Sequence, residues 1–270
     1  MNESTMMLTS ILNCRPVDLT AERPVLSSKQ KAALDRMSAR RASGEPLQYI
    51  IGSCDFMGIE LSVEPCVLIP RPETEILTER VIEIAKMDRD PSRARILDLG
   101  TGSGNIAIAL ARNLPAFAVD AVDIDARALA LARKNAAANG LASNITFFQD
   151  DFITFLNKAV DGQRPYAVIV SNPPYIPTGH LPFLPADVRR EPAIALDGGP
   201  DGLKFYRSII PAAGRCIRPG GHLLFEIGDG QRAGIEDIFA RSGNFAQLEF
   251  TKDYVGTDRV ACARFKLKDR

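Results

Sequence analysis

Apolar and polar residues change rhythm twice along this chain. Residues 1 to about 45 carry helical spacing. Ser27 to Arg41 sets Ala33, Leu34 and Met37 on one face behind a capping serine, and a weaker helical pattern covers Met6 to Leu12. So few apolar positions cannot close a core alone, so this small helical module is expected to lean on its neighbour. From Leu47 to Val63 two apolar runs flank a polar, glycine-containing centre, which predicts a β-hairpin. A stiff corner with prolines on both sides of Arg71 follows. A helix is then predicted from about Glu73 to Met87, with Ile76, Leu77, Val81 and Ile84 on one face. Glu73 and Glu75 suit the positive end of its dipole.

From Arg95 onward the pattern is strand, turn, helix, repeated. The predicted strands are Ile96 to Leu99, Phe117 to Ile124, Ile145 to Phe148 (running out through Gln149 to Asp151), Tyr166 to Val170, and His222 to Ile227. Helices are predicted over Asn105 to Ala111, Ala126 to Asn139, Gly202 to Ile217, and 230–241. Two closing strands cover about 245–251 and 259–266. Alternating β and α elements predict a mostly parallel, doubly wound α/β sheet, here of seven strands. Two strands in succession at the end predict an antiparallel hairpin at the sheet edge.

Composition narrows the class. The 270 residues suffice for one large domain or for one domain plus a small one, and 46% apolar with 24% charged is ordinary for a globular protein. Lys+Arg and Asp+Glu are both 33, which gives no support to a broad nucleic-acid or membrane-binding surface. Five scattered cysteines without a Cys-x-x-Cys pair, and only two histidines, argue against a metal site. They fit reduced thiols, and so a cytoplasmic protein. The segment from Met1 to Cys14 lacks a basic start and does not read as a signal peptide.

The chemistry is concentrated at Ser171-Asn172-Pro173-Pro174-Tyr175. This follows the apolar run Tyr166 to Val170, which reads as a buried parallel strand. Each proline fixes its own φ and holds the preceding residue extended. The Asn172 amide oxygen and the Pro173 carbonyl are thus expected as two acceptors on a rigid frame. A planar –NH2 group carries two N–H donors, so the frame would hold an amide or aromatic amine by both hydrogens. Pro174 and Tyr175 complete the expected substrate-binding corner, with the Tyr175 ring against the substrate side chain or near a cationic group of the electrophile.

An electrophile is expected at Asp98-x-Gly100-x-Gly102-x-Gly104, after a strand and at the start of a helix. The spacing is Gly-x-Gly-x-Gly, not the Gly-x-Gly-x-x-Gly of a dinucleotide site. The preceding Asp98 would repel a pyrophosphate and suit a cation. S-adenosyl-L-methionine carries an ammonium and a sulfonium and no phosphate. Thr101 and Ser103 belong to the same loop. Asp123, about 20 residues on, is placed for the ribose hydroxyls. Asp151 and Phe152 are expected at the end of the third strand for the adenine amine and ring face, with Asp150 as the alternative, since a one-residue slip exchanges the faces.

Together these segments resemble the PrmC/HemK family of protein N5-glutamine methyltransferases acting on peptide chain release factors. The resemblance spans about residues 44 to 260. It rests on Gly44-Glu45-Pro46, Leu68 to Glu75, Asp98 to Gly104, Ala121 to Ile124, Ser171 to Ile176, Arg190-Glu191-Pro192, Gly198 to Leu203 and Lys252 to Val260. It implies a class I methyltransferase (Rossmann-like) domain over 71–270, a hairpin linker over 46–70, and a helical substrate-docking module over 1–45, shorter than the bundle usual in the family. It also implies methyl transfer to the glutamine of the release factor's Gly-Gly-Gln loop, and places residues 70–75 and 190–192 around the active-site rim without individual roles. A monomer acting on a protein, without direct nucleic-acid or membrane contact, is expected. Asn-Pro-Pro-Tyr is shared with adenine-N6 and some guanine-N2 methyltransferases, so a nucleic-acid amine or a ribosomal-protein glutamine is the alternative acceptor, and a non-catalytic cofactor-binding protein a third class.

Overall fold

The computed structural model describes residues 2–21, 24–88, 94–158 and 165–267. The remaining positions, which the expected domain ranges include, lie outside the described residues. The chain opens with helices α1 (Glu3–Leu12), α2 (Asp18–Ala21) and α3 (Ser28–Ala42). Ser27 caps α3 in a reciprocal capping box with Gln30. No residue of α3 is buried, and Met7 is the buried residue of α1. The module is held instead by polar contacts. Arg41 pairs with Glu3 and reaches Asp187, and Arg190 donates to the Ser43 carbonyl.

The hairpin is real but shorter and later than the hydropathy pattern predicts. Leu47–Ile51 is a short helix, α4, begun by Pro46 and closed by Gly52 in the left-handed region. Strands β1 (Ser53–Phe56) and β2 (Ile59–Ser62) follow, turning at Met57 and Gly58, both at positive φ as a two-residue hairpin turn demands. The expected polar centre is therefore β1 itself. Helix α5 (Pro72–Lys86) begins with proline in its first turn. Glu75 accepts from the Met57 amide at 2.8 Å, tying α5 to the hairpin.

The large sheet comprises β3 (Arg95–Leu99), β4 (Ala118–Asp123), β5 (Ile145–Gln149), β6 (Tyr166–Ser171), β7 (Ile217–Glu226), β8 (Phe245–Lys252) and β9 (Asp258–Phe265), in the order β5-β4-β3-β6-β7-β9-β8. The first five in chain order run parallel. The closing pair is antiparallel at the edge, with β9 between β7 and β8. Intervening helices are α6 (Asn105–Asn113), α7 (Ala126–Ala138), α8 (Phe152–Lys158), α9 (Lys204–Ala213) and α10 (Arg232–Ser242). Strand alternation splits the core in two. Ile96, Val168, Val170 and Leu224 pack with α5, α6 and α7; Leu97, Ile169, Leu223 and Phe225 pack with α8, α9 and α10.

Two boundaries depart from expectation. The third parallel strand stops at Gln149, and Asp151 starts α8, because its side chain accepts from the Ile153 and Thr154 amides. The helix predicted to run through Ile217 ends at Ala213. Ile217 already pairs with Tyr166, and the segment Arg218–Gly221 bulges before pairing resumes at His222. Short 3-10 turns at Thr178–Phe183, Val188–Arg190 and Ala193–Ala195 build the connection between β6 and α9.

The start of the sheet is pinned by one buried charge. Asp120 accepts from the Tyr166 hydroxyl at 2.6 Å and pairs with Arg95, whose guanidinium lies over the Tyr166 ring. One carboxylate thereby joins β3, β4 and β6. Removing one partner of such a pair costs about 3–5 kcal/mol, because the other charge stays in place without it. Asp120→Ala is expected to lose stability on that scale, read as a lowered midpoint in urea unfolding; an unchanged midpoint would contradict it.

Candidate active site

The glycine turn and the Asn172 corner leave adjacent strands. β3 and β6 pair in parallel with Leu99 opposite Ser171, and the Ser171 hydroxyl donates to the Leu99 carbonyl at 2.7 Å. From β3 the chain builds outward through β4 to β5, then returns to the other side of β3 as β6. The carboxyl ends of β3 and β6 therefore flank the switch-point crevice.

Gly100 opens the turn at φ 78°, and a Cβ there would stand 2.9 Å from the Phe152 ring. Glycine lets the ring lie directly on the backbone. Behind the loop, Asp98 is fully buried, and neither of its carboxylate oxygens has a hydrogen-bond partner. The Thr101 and Ser103 hydroxyls are likewise buried without partners. Such orphaned groups are uncommon and point to a missing ligand or water. Burial pushes the Asp98 carboxyl up to about 7; the nearby Thr101 hydroxyl and Ala107 amide oppose the rise, and the Asp123 charge adds to it.

A cavity of about 290 Å³ opens in front of this loop. Gly100, Thr101, Gly102 and Ser103 form one wall, with Asp123, Asp151, Phe152, Asn172 and Pro174 around it. Of the residues expected at a cofactor, Asp98 and Gly104 lie outside the cavity wall. Asp98 lies buried behind the glycine turn, and a Cβ on Gly104, at the start of α6, would meet Ile108 and Ala132. Asp123 accepts from the Gly102 amide at 2.8 Å and the Asp125 amide at 2.9 Å, which leaves each oxygen a further lone pair. Burial raises its pKa. Asp150 is engaged by Lys158 at 2.7 Å and is absent from the wall, whereas Asp151 lines it.

Several lining residues were not singled out in the sequence. Cys66 and Val67 come from the segment after the hairpin, and Ile194, Lys204 and Phe205 from the start of α9 and the turn before it. Phe205 packs edge-on against Phe152 with ring centroids 5.7 Å apart. Two cations reach the wall: Arg71, paired with the buried Glu191, and Lys204, above the Phe205 ring. Acids, hydroxyls, aromatic faces and two cations together suit a ligand with positive charge, ribose-like hydroxyls, a flat ring and an acidic end.

Asn172 also lines a second cavity of about 280 Å³, with Tyr175, Ile176, Arg71 and Arg259 among its neighbours. It lines both spaces, as do Leu68, Arg71 and Ala195. Its Nδ2 donates to Thr74 Oγ1 at 3.1 Å, and Thr74 donates to Glu226 at 2.6 Å. The other Glu226 oxygen accepts from the Tyr175 hydroxyl at 3.1 Å. Burial raises the Glu226 pKa, and these two hydrogen bonds oppose that rise. Tyr175 thus stands in the second cavity, not against the first, where a sulfonium contact would need it. Pro174 lines the first cavity; Pro173 is buried and lines neither.

The corner's backbone is braced from outside. The Ile176 amide donates to Leu196, the Gly198 amide to Ile176, and Gln231 Nε2 to the Tyr175 carbonyl at 2.9 Å. A Cβ on Gly198 would sit 2.7 Å from Tyr175 Cα, so only glycine admits this approach. The two segments at the rim clasp each other: Glu191 pairs with Arg71 and accepts from the Ile69 amide at 3.0 Å.

Comparison with known proteins agrees with this architecture. Residues 2–52 match the PrmC N-terminal domain, and residues 76–181 the methyltransferase small domain. A release factor glutamine methyltransferase of Moorella thermoacetica is 47% identical over 224 residues, covering 83% of this chain and 76% of that protein. One of Thermodesulfovibrio yellowstonii is 39% identical over 259 residues, covering 96% and 90%. The crystal structure of a ribosomal protein L11 methylase from Lactobacillus delbrueckii subsp. bulgaricus shares the fold, with a TM-score of 0.52 and 23% identity over 76% of this chain and 84% of that one. By identity and coverage, the chain belongs to the release factor glutamine methyltransferase family.

Proposed function

We propose that this chain methylates the side-chain nitrogen (N5) of the glutamine in the Gly-Gly-Gln loop of peptide chain release factors, with S-adenosyl-L-methionine as methyl donor. The observation that carries the reading is Asn172. It stands between the two cavities with its NH2 tied back to Thr74, which leaves Oδ1 as a free acceptor. The larger cavity suits the donor: Asp123 for the ribose hydroxyls, Asp151 and Phe152 for the adenine, Gly100 to Ser103 beneath the methionyl part, and Asp98 as a negative charge behind them. The donor supplies an electrophilic methyl carbon on a sulfonium.

Asn172 Oδ1 accepts one N–H of the glutamine amide from the second cavity; the Pro173 carbonyl, on a residue that lines neither cavity in the ligand-free chain, would accept the other once the substrate is seated. Held so, the nitrogen would be aimed at the methyl carbon that the donor supplies from the first cavity. Transfer would form the C–N bond as the C–S bond breaks, with S-adenosylhomocysteine as the leaving group. The surplus proton on nitrogen passes to water. Positioning and stabilisation of charge growing on nitrogen supply the rate enhancement. Residues 1–45 serve as the docking module, 46–70 as the linker and 71–270 as the catalytic domain of a cytoplasmic monomer. No helix among the described residues is long and apolar enough to cross a membrane.

Labelled S-adenosylmethionine offered with release factor, ribosomes or DNA tests the acceptor. Label is expected in the release factor alone, and to vanish when its Gly-Gly-Gln glutamine is replaced. Asn172→Ala is expected to lower kcat by about 10²-fold or more with donor affinity little changed, since one oriented polar group is lost; near-normal turnover contradicts the role.

The Asp98 carboxyl gives a pH test with a definite sign. Its folded pKa, about 7, lies above the ordinary carboxylate value, so the ligand-free fold binds more protons than the unfolded chain between about pH 4 and pH 7. Asp98 therefore makes the ligand-free protein less stable as pH rises through that window. A cation in the cavity favours the ionised form, so donor affinity is expected to fall by up to about tenfold per pH unit below 7. Asp98→Asn should flatten both slopes, read by thermal melts and titration calorimetry. Slopes equal to those of the wild type would remove Asp98 from this role.

A further inference from the structure

We propose that Thr74, held by Glu226, is a positioning residue that fixes which way round the Asn172 carboxamide sits. The inference rests on the reading of Asn172 as the acceptor's ligand. A carboxamide has nearly the same shape in either orientation, but only one turns oxygen toward an incoming NH2. The other would turn an NH2 toward an NH2, and the site could not hold its substrate. Nothing in the Asn-Pro-Pro-Tyr backbone decides between them, because prolines constrain φ and not a neighbouring side-chain amide.

Thr74 decides it by committing its own hydrogen. Its hydroxyl donates to Glu226 at 2.6 Å, a short contact at a buried carboxylate. The lone pairs of Oγ1 are then what Asn172 meets, and at 3.1 Å it presents Nδ2 to them. With Glu226 ionised, as the hydrogen bonds it accepts from Thr74 and Tyr175 favour, turning the amide over would set Oδ1 against Oγ1, two acceptors in contact with no hydrogen between them. Burial makes such a mismatch costly: Thr74 is 1% exposed, and Glu226 likewise.

Glu226 is itself held so that its oxygens stay aimed. Oε1 accepts from Tyr175, and the Glu226 carbonyl accepts from the fully buried Tyr206 at 2.8 Å. One carboxylate therefore orients both polar side chains of the corner, Asn172 through Thr74 and Tyr175 directly. Thr74 is well placed to do this from outside the sheet. It lies in the first turn of α5, and its carbonyl also accepts from the Thr78 hydroxyl at 2.9 Å. The arrangement assigns the Pro70–Glu75 corner a function beyond shaping the rim: it delivers one hydroxyl oxygen to the far side of Asn172.

The test uses the full-length chain and two replacements. Thr74→Val keeps the shape and removes the hydroxyl; Thr74→Ser keeps the hydroxyl. The Asn172 side-chain NH2 signals are assigned by their absence in Asn172→Ala, and their hydrogen exchange is measured without any acceptor present. In Thr74→Val this exchange is expected to quicken by about fivefold or more, the scale of one lost hydrogen bond. With release factor as acceptor, kcat should fall by about 10- to 100-fold, as for a misplaced reacting group, while donor affinity stays within about twofold. Thr74→Ser should restore both readouts. Unchanged exchange and kcat in Thr74→Val, or a Thr74→Ser variant as impaired as Thr74→Val, overturns the proposal. Should wild-type enzyme fail to label the release factor, the proposed function falls, and the exchange measurement alone decides the role of Thr74.

Discussion

The site depends on the parallel pairing of β3 with β6. A parallel ladder brings the same ends of two strands together, so the loops leaving them emerge side by side. Here the register sets Leu99 beside Ser171, and the Ser171 hydroxyl adds a lateral bond to the Leu99 carbonyl. Gly100 and Asn172, the next residues on each strand, are neighbours for that reason. Every other part of the site is arranged around this contact, and a sheet with these two strands apart would leave the glycine turn and the proline corner on unrelated surfaces.

Around that contact the protein buries polar groups that a simple core would exclude. Asp98, Thr101 and Ser103 lie beneath the glycine turn without partners, while Thr74, Glu226 and Tyr175 form a closed set behind Asn172. The two groups behave differently. The partnered set fixes geometry before any ligand arrives, because each member restricts the next in a medium of low dielectric. The orphaned set costs folding free energy, because its polar groups are buried without hydrogen-bond partners. One side of Asn172 is thus rigid by construction, and the other carries unsatisfied polarity.

Rigidity at the corner also comes from segments far away in sequence. Arg71 and Glu191 join two proline corners across 120 positions, and Gly198 and Gln231 close on the backbone of Tyr175. The helical N-terminal module is attached differently, at the surface, where Arg41 pairs with Asp187 and Arg190 donates to the Ser43 carbonyl. Pairs of that kind contribute little each and are screened by salt. The Asn172 corner is held by packing, buried hydrogen bonds and the half-buried Arg71–Glu191 pair, whereas the module that precedes it is tied on by arginine contacts at the surface.

Local pattern alone determined the alternation of strands and helices, the closing antiparallel pair, the glycine turn and the stiffness at Asn172, because each follows from periodicity or from φ limits of proline and glycine. It misplaced what depends on competition between neighbours. Leu47–Ile51 became a helix because Pro46 and Gly52 bracket it, and Asp151 left the strand because its side chain caps α8. Only the folded chain shows that Asp151 lines the cavity while Asp150 pairs with Lys158. Thr74 and Glu226 stand 152 positions apart, and nothing in either local stretch marks them as partners. Only the folded chain could decide which way the Asn172 amide faces, because hydrogen-bond direction is set by whichever groups packing brings within reach.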